Sequence, residues 1–361
     1  MKRNSKNGTT DRLSKRLGDI SRLEAYSRPE KIYGAIKLDS NENFVLDRSL
    51  LSGLAAGAAK TVDVREYPID ELDALEKRLS NYTGIDRRYI SVGSGSDQII
   101  ELLLSTLERR RAVLAVPTFS YFINRCSLHG MQVQTVPLAK DFSLKADAIL
   151  KTKADLVYLC SPNNPTANQF EDSTMIKIID SVGKDALVII DEAYVDFADH
   201  SLAKEAISRK NVVVLRTLSK AFGLAGARVG YMIANERLTQ IFRTVIQSPY
   251  PISSLSLVIA ASLLDRAGLV KKAISTIRSE RGRIMQRMSE IPSVTTYRSD
   301  ANFIFIETGK NYGLIARSFS EKSIMVKMLG DVAEHKGCMR ITVGTPDVND
   351  RVLECIEGAR A

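Results

Sequence analysis

The chain has 361 residues, 44% of them hydrophobic, a globular composition too long for one simple core and suited to two domains. Charges of both signs exclude disorder over most of the length, and 6% aromatics with no Trp leave no dense aromatic surface for stacking nucleic acid. The net charge of +9 suits an anionic substrate, but much of it lies in Lys2, Arg3, Lys6, Arg12, Lys15 and Arg16 against the single acid Asp11, so residues 1–16 read as a flexible, solvated basic tail.

Residues 17–39 are expected to pack with the C-terminal part of the chain, and residues 40–250 to form the large domain. Between about 85 and 235, short apolar runs at 112–116, 132–136, 156–160, 187–190, 212–215 and 231–234 alternate with helically spaced stretches such as 97–108 and 173–182. Alternation of this kind predicts a mostly parallel sheet covered on both faces. Past Tyr250 and Pro251 a charged helical stretch runs from about 256 to 290. A strand-like run at 303–307, a helical pattern at 312–321, apolar runs at 324–328 and 339–343 and a helix after Asp347 follow. The predicted class is α/β, with a large parallel-sheet domain and a smaller α+β domain built from 17–39 with 251–361.

Cys126, Cys160, Cys338 and Cys355 form no C-x-x-C pair, and with His129, His200 and His335 they give no metal-ligand spacing. The thiols read as reduced in a cytoplasmic protein. No apolar run reaches the ~18 residues that span a bilayer, and the N-terminus lacks the apolar stretch of a signal peptide. Neither a metal, a membrane nor nucleic acid is expected as a partner.

Ligands of open α/β sheets bind beyond the carboxyl ends of the strands, and four segments of unusual composition fall at such ends. Gly93-Ser94-Gly95-Ser96-Asp97-Gln98 opens a helix, where free N–H groups and the helix dipole suit a phosphate; an ordinary N-cap by Ser96 or Asp97 reads equally well. Ser161-Pro162-Asn163-Asn164-Pro165-Thr166 holds its Asn side chains between two prolines, or is a structural turn. Asp191, with Tyr194 three residues on, closes an apolar run, as a ligand-facing acid or as a helix cap. In the segment 217–228, Lys220 sits among small and apolar residues that desolvate its amine and lower its pKa. Thr217, Ser219 and Arg228 nearby can hold a phosphate, although a surface loop is the plain alternative.

With "KLDSNEN", "GSGSDQIIELLL", "PNNPT", "DEAYVDFA", "TLSKAFGLAGARVGY" and "CMRITVGTP" in this order, the chain resembles the histidinol-phosphate aminotransferases over roughly residues 20 to 358. These are class II, fold-type I enzymes that use pyridoxal 5'-phosphate. The resemblance implies that Lys220 carries the cofactor as a Schiff base and then moves the proton. It implies that Asp191 pairs with the pyridinium nitrogen, and that Tyr194 and Asn164 hydrogen-bond the ring's phenolic oxygen. Phe119 matches the stacking aromatic, and the cofactor phosphate falls to Ser96, Asp97, Thr217, Ser219 and Arg228. Tyr67 matches a tyrosine that reaches the neighbouring subunit's phosphate, which implies a homodimer with shared sites. Arg340 matches the arginine that grips the substrate carboxylate, and Tyr26 a tyrosine near the substrate phosphate.

Four positions depart from the family pattern: Ser161 stands for Asn, Ala167 for Gly and Phe44 for Pro. Lys327 stands for an arginine at the substrate phosphate, a point charge in place of a fork. The implied reaction is amino transfer between histidinol phosphate and 2-oxoglutarate. Aromatic amino-acid transamination and a threonine-phosphate decarboxylase-like reaction are its rivals, and a non-catalytic cofactor-binding regulator is a reading of another class.

Overall fold

A computed structural model describes residues 7–23, 32–107 and 110–359. Among these residues twelve strands form two sheets: β1 (Ile36–Leu38), β2 (Ile90–Ser94), β3 (Arg111–Val116), β4 (Gln132–Pro137), β5 (Leu156–Cys160), β6 (Leu187–Asp191), β7 (Val212–Thr217), β8 (Val229–Ile233), β9 (Thr295–Thr296), β10 (Phe303–Glu307), β11 (Ile324–Val332) and β12 (His335–Thr342). The large sheet has the order β2-β8-β7-β6-β5-β3-β4. Every neighbouring pair in it is parallel except those made by β8, which runs antiparallel to both β7 and β2.

The apolar runs form a sheet because both of its faces are covered. Val188, Ile190, Val212 and Val214 point into one cluster, while Ile189, Val213 and Leu215 point into the other, the alternation that a period of two imposes on a strand. Helices Gly95–Ser105 and Ser120–Leu128 supply Ile99, Leu103 and Phe122 to the second cluster. Helices Ile69–Thr83 and Asp172–Ser181 supply Leu75, Leu79, Met175 and Ile178 to the first. The β-branched side chains of the strands lose little χ1 freedom on a pleated surface. The parallel sheet and its two covering layers are as expected.

The small sheet has the order β1-β11-β12-β10-β9. Strand β1 pairs in parallel with β11, so the segment that leads on into the cavity starts from an edge of the small sheet. The hairpin β11–β12 is bulged at Met328/Gly330 and Gly330/Val332, and both bulges lie on the part that faces the cavity described below.

Two expectations need correction. The stretch expected as one helix from about 256 to 290 is two, Ser254–Leu264 and Ala267–Ser289. The first buries Leu257, Ala260, Leu263 and Leu264 and packs on helices Ile69–Thr83 and Arg48–Thr61, whereas the second carries its apolar stripe to β9, β10 and the C-terminal helix Pro346–Gly358. Two directions of burial require a break, and it falls at Asp265, whose carboxylate accepts from Arg78 Nε at 2.8 Å. The basic N-terminal stretch is not a tail throughout, because Asn7–Ser21 is helical. Good helix formers such as Arg, Leu and Lys favour that state while Arg12, Leu13, Lys15, Arg16 and Leu17 stay exposed.

Candidate active site

The carboxyl ends of β5, β6 and β7 face the small sheet across a cavity of about 680 Å³. Of the expected site residues, Ser96, Asp97, Phe119, Asn164, Asp191, Tyr194, Thr217, Ser219, Lys220, Arg228, Lys327 and Arg340 all line it. Tyr67 does not: it is 73% exposed and stacks on Tyr250, with ring centroids 4.6 Å apart. Tyr26 lies outside the described residues.

Asp191 ends β6 at the cavity floor and is 3% exposed. Both of its oxygens are engaged: Oδ2 accepts from the Tyr158 hydroxyl at 2.7 Å and Oδ1 from the Ala193 N–H at 3.0 Å. Burial still pushes its pKa up to about 6, because a carboxylate in a low-dielectric site favours its neutral form unless a cation sits close by. Lys220 is held by its Nζ, which donates to the Ser40 carbonyl at 2.8 Å. Burial, and then the charge of Arg340, lowers its pKa to about 8. The amine lies 5.6 Å from the centroid of the Tyr194 ring, and Tyr194, 4% exposed, accepts from Asn41 Nδ2 at 3.0 Å.

The lysine loop owes its place to β8. Parallel strands need a long crossover between them, whereas antiparallel neighbours can be joined at one edge. Residues 218–228 make such a join, and the Leu218 N–H closes it on the Val229 carbonyl at 2.9 Å. The strand pairing sets Thr217 opposite Gly230 and Ser94 opposite Val229, so the loop and the first turn of helix Gly95–Ser105 meet. Gly230 permits the meeting, because a Cβ there would stand 2.3 Å from the Ser96 nitrogen. Arg228, itself left-handed at φ 53°, donates to Asp97 Oδ2 at 2.9 Å and to Ser219 Oγ at 3.4 Å.

From the other side, Arg340 on β12 donates to Asn164 Oδ1 at 2.5 Å and to the Asp39 carbonyl. Its guanidinium carbon lies 5.4 Å from the centroid of the Phe303 ring. Lys327 on β11 is its direct cross-strand partner and is exposed. The two Asn side chains set between prolines divide their work. Asn163 is fully buried and ties its own turn to the Pro117 carbonyl and the Thr118 hydroxyl, and Asn164 lines the cavity.

Sequence reasoning missed Tyr158, Ser40 and Asn41. Tyr158 is the one hydroxyl-bearing side chain in the run "LVYLC", a signal that buried polar groups find partners. Ser40 acts through its backbone and left no side-chain signal.

The cavity offers a cofactor two ends. At one, helix N–H groups without intrahelical partners, the Thr217 and Ser219 hydroxyls and Arg228 fit a phosphate. At the other, a buried carboxylate in need of a cation fits a protonated pyridine nitrogen, and a half-buried lysine lies between. Fold and site together define a fold-type I pyridoxal-phosphate transferase. A model of the aminotransferase class I and II family matches residues 34–356, and the chain belongs to that family of pyridoxal-phosphate-dependent transaminases.

Histidinol-phosphate aminotransferase of Thermoanaerobacter pseudethanolicus is 35% identical over 324 residues, 88% of this chain and 91% of that one. The enzyme of the same name from Pyrococcus furiosus is 33% identical over 342 residues, 94% and 96% of the two chains. Among solved structures, histidinol-phosphate aminotransferase from Sinorhizobium meliloti in complex with pyridoxal-5'-phosphate matches with a TM-score of 0.81 at 24% identity, over 90% of each chain. At that identity the match speaks for the fold. No helix among the described residues is long and apolar enough to cross a membrane, and no group of His, Cys, Asp and Glu among them could hold a metal.

Proposed function

We propose that the protein transfers an amino group between histidinol phosphate and 2-oxoglutarate, with pyridoxal 5'-phosphate as its cofactor. The observation that carries the choice of substrate is the cross-strand pair of Arg340 and Lys327 at the cavity rim. Two cations side by side suit a phosphorylated donor and a dicarboxylate acceptor that use one site in turn, which makes the kinetics ping-pong. The curated relatives carry the same enzyme name over nearly their whole length.

Bound pyridoxal phosphate supplies the carbonyl that takes up the amino group and the electron sink that stabilises a carbanion at Cα. The chain does the rest. Ser96, Asp97, Thr217, Ser219 and Arg228 hold the phosphate, Phe119 covers a ring face and Asp191 sets its negative charge against the ring nitrogen. Tyr194 and Asn164 face the ring's phenolic oxygen. Lys220, with a pKa near 8, is neutral in an appreciable fraction of molecules at neutral pH, and its Nζ takes the proton from the substrate carbon that bears the amino group. Arg340 orients the substrate through its fork, the bidentate geometry that a carboxylate matches, and Lys327 adds a point charge for a phosphate.

The active unit is a homodimer in the cytoplasm. Supporting this, the large apolar side chains of Val64, Tyr67 and Ile69 are all exposed in the single chain, where a second copy would cover them, and the role that the resemblance implies for Tyr67 needs such a partner. The four thiols are free and buried, which suits a reducing compartment. A second reading has one observation behind it: Ile123, Leu329 and Val332 line the cavity and would accept an aromatic amino acid. The test is transamination of 2-oxoglutarate by histidinol phosphate, histidinol, phenylalanine and tyrosine. A large excess in kcat/KM for histidinol phosphate over histidinol is expected; equal values, or a preference for the aromatic amino acids, would overturn the assignment and leave the transaminase standing.

A further inference from the structure

Asn41 lies on the segment that runs from β1 into the cavity. It is left-handed, with φ 56°, a conformation that asparagine tolerates better than most side chains. It is 1% exposed, and all four of its polar groups are engaged. Its N–H donates to Thr342 Oγ1 at 3.0 Å, and its Oδ1 accepts from the same hydroxyl at 3.3 Å. Its carbonyl accepts from Asn302 Nδ2 at 3.0 Å, and its own Nδ2 donates to the Tyr194 hydroxyl at 3.0 Å. Thr342 stands two residues beyond Arg340 on β12.

The direction of the last bond has a consequence for Tyr194. A phenolic oxygen that accepts from an amide keeps its own proton for another partner. The side facing Asn41 is occupied by a donor, so the hydroxyl proton has to point elsewhere, and the cavity is the other direction open to it. A carboxylate at position 41 would do the opposite and draw that proton to itself.

We propose that Asn41 is a positioning residue for the reaction: its side-chain amide turns the Tyr194 hydroxyl proton into the cavity, towards the ring oxygen of the cofactor, and Thr342 ties that setting to the strand that carries Arg340. This rests on the reading of Tyr194 as a cofactor contact. The left-handed backbone explains why few residues could hold the place. Glycine would keep the backbone without the amide, and most others would keep neither.

The test uses the enzyme loaded with pyridoxal phosphate and follows its visible absorption from pH 5 to 10 in the wild type, Tyr194→Phe, Asn41→Gly and Asn41→Asp. A ring oxygen that loses a donor becomes more basic, so the chromophore should hold its proton to higher pH. One neutral hydrogen bond corresponds to an upward shift of about 0.5–1 pH unit. Tyr194→Phe and both Asn41 variants are expected to shift upwards, with Asn41→Asp at least as far as Asn41→Gly. A shift in Tyr194→Phe beside wild-type titration in Asn41→Gly overturns the role of Asn41 and leaves that of Tyr194. No shift in Tyr194→Phe removes both. If Asn41→Gly does not fold, Asn41→Asp decides, because it is nearly isosteric and keeps the acceptor for Thr342; wild-type titration there also overturns the proposal.

Discussion

The two walls of the cavity are built to different standards. The floor comes from the large sheet, and its titrating groups, Asp191 and Lys220, are withdrawn from water and shifted towards neutrality, to about 6 and about 8. The rim comes from the small sheet, where Lys327 is exposed and Arg340 lies within reach of the chain's own carbonyls. Low dielectric makes each charge on the floor costly unless the cofactor answers it, and such groups are not interchangeable. At the rim the charge of Lys327 is solvated, and substitution there alters affinity by a modest step. The chemistry is therefore held more rigidly than the choice of substrate.

The comparison breaks first at Lys220. Lys220→Ala is expected to lower kcat by about four orders of magnitude, the upper range for loss of a general base, for every donor alike, and to remove the visible absorption of the bound cofactor. A variant that kept the band would place the reactive amine elsewhere. Next is Asp191→Asn, expected to lower kcat by about two to three orders of magnitude while retaining cofactor. It also has an effect on stability. A folded pKa of about 6, against 3.8 for the free carboxyl, means that this group's contribution is complete below about pH 4 and is lost as pH rises through 6. The cofactor-free Asp191→Asn protein should accordingly be more stable than the wild type at pH 8, by about 3 kcal/mol, and show little difference at pH 4. Urea unfolding at both values checks the sign, and equal stability at pH 8 would mean that the carboxylate is not short of a partner.

On the rim, Arg340→Lys is expected to raise KM for both the amino donor and the 2-oxo acid by about ten- to a hundredfold, the worth of one charge-assisted hydrogen bond. A rise in only one would show that the two substrates do not share the site. The smallest effect is assigned to Lys327→Ala: about a tenfold or smaller rise in KM for histidinol phosphate, with histidinol unchanged. If histidinol weakens equally, Lys327 contributes to folding and not to phosphate recognition.

What could be read from the sequence follows the same division. Strands β5, β6 and β7 were legible because a sheet covered on both faces needs unbroken Val, Ile and Leu, and few other structures do. Their carboxyl ends then named Asp191, Lys220 and Asn164, and the order of the motifs named the family. The interruption at Asp265 was not legible, since no Pro marks it and Gly268 falls inside the second helix; only the opposed burial of two helices demands it. Asn41 and Thr342 are 301 positions apart in the chain, and a bond of that span leaves no periodicity to find. Tyr158 left a faint mark, one hydroxyl in an apolar strand. The helix Asn7–Ser21 was hidden by its charge, which speaks for solvent exposure and says little about backbone conformation.

Before any substrate arrives, the chain acts as its own competitive ligand. The Asp39 carbonyl takes a donor of Arg340, so an incoming anion must displace backbone that is tethered in place and never diffuses away. Observed affinity is then a difference between two sets of contacts. Weakly polar compounds that merely fit the space are turned away by a competitor at fixed effective concentration, and only a group with a full negative charge offers Arg340 more than it already has.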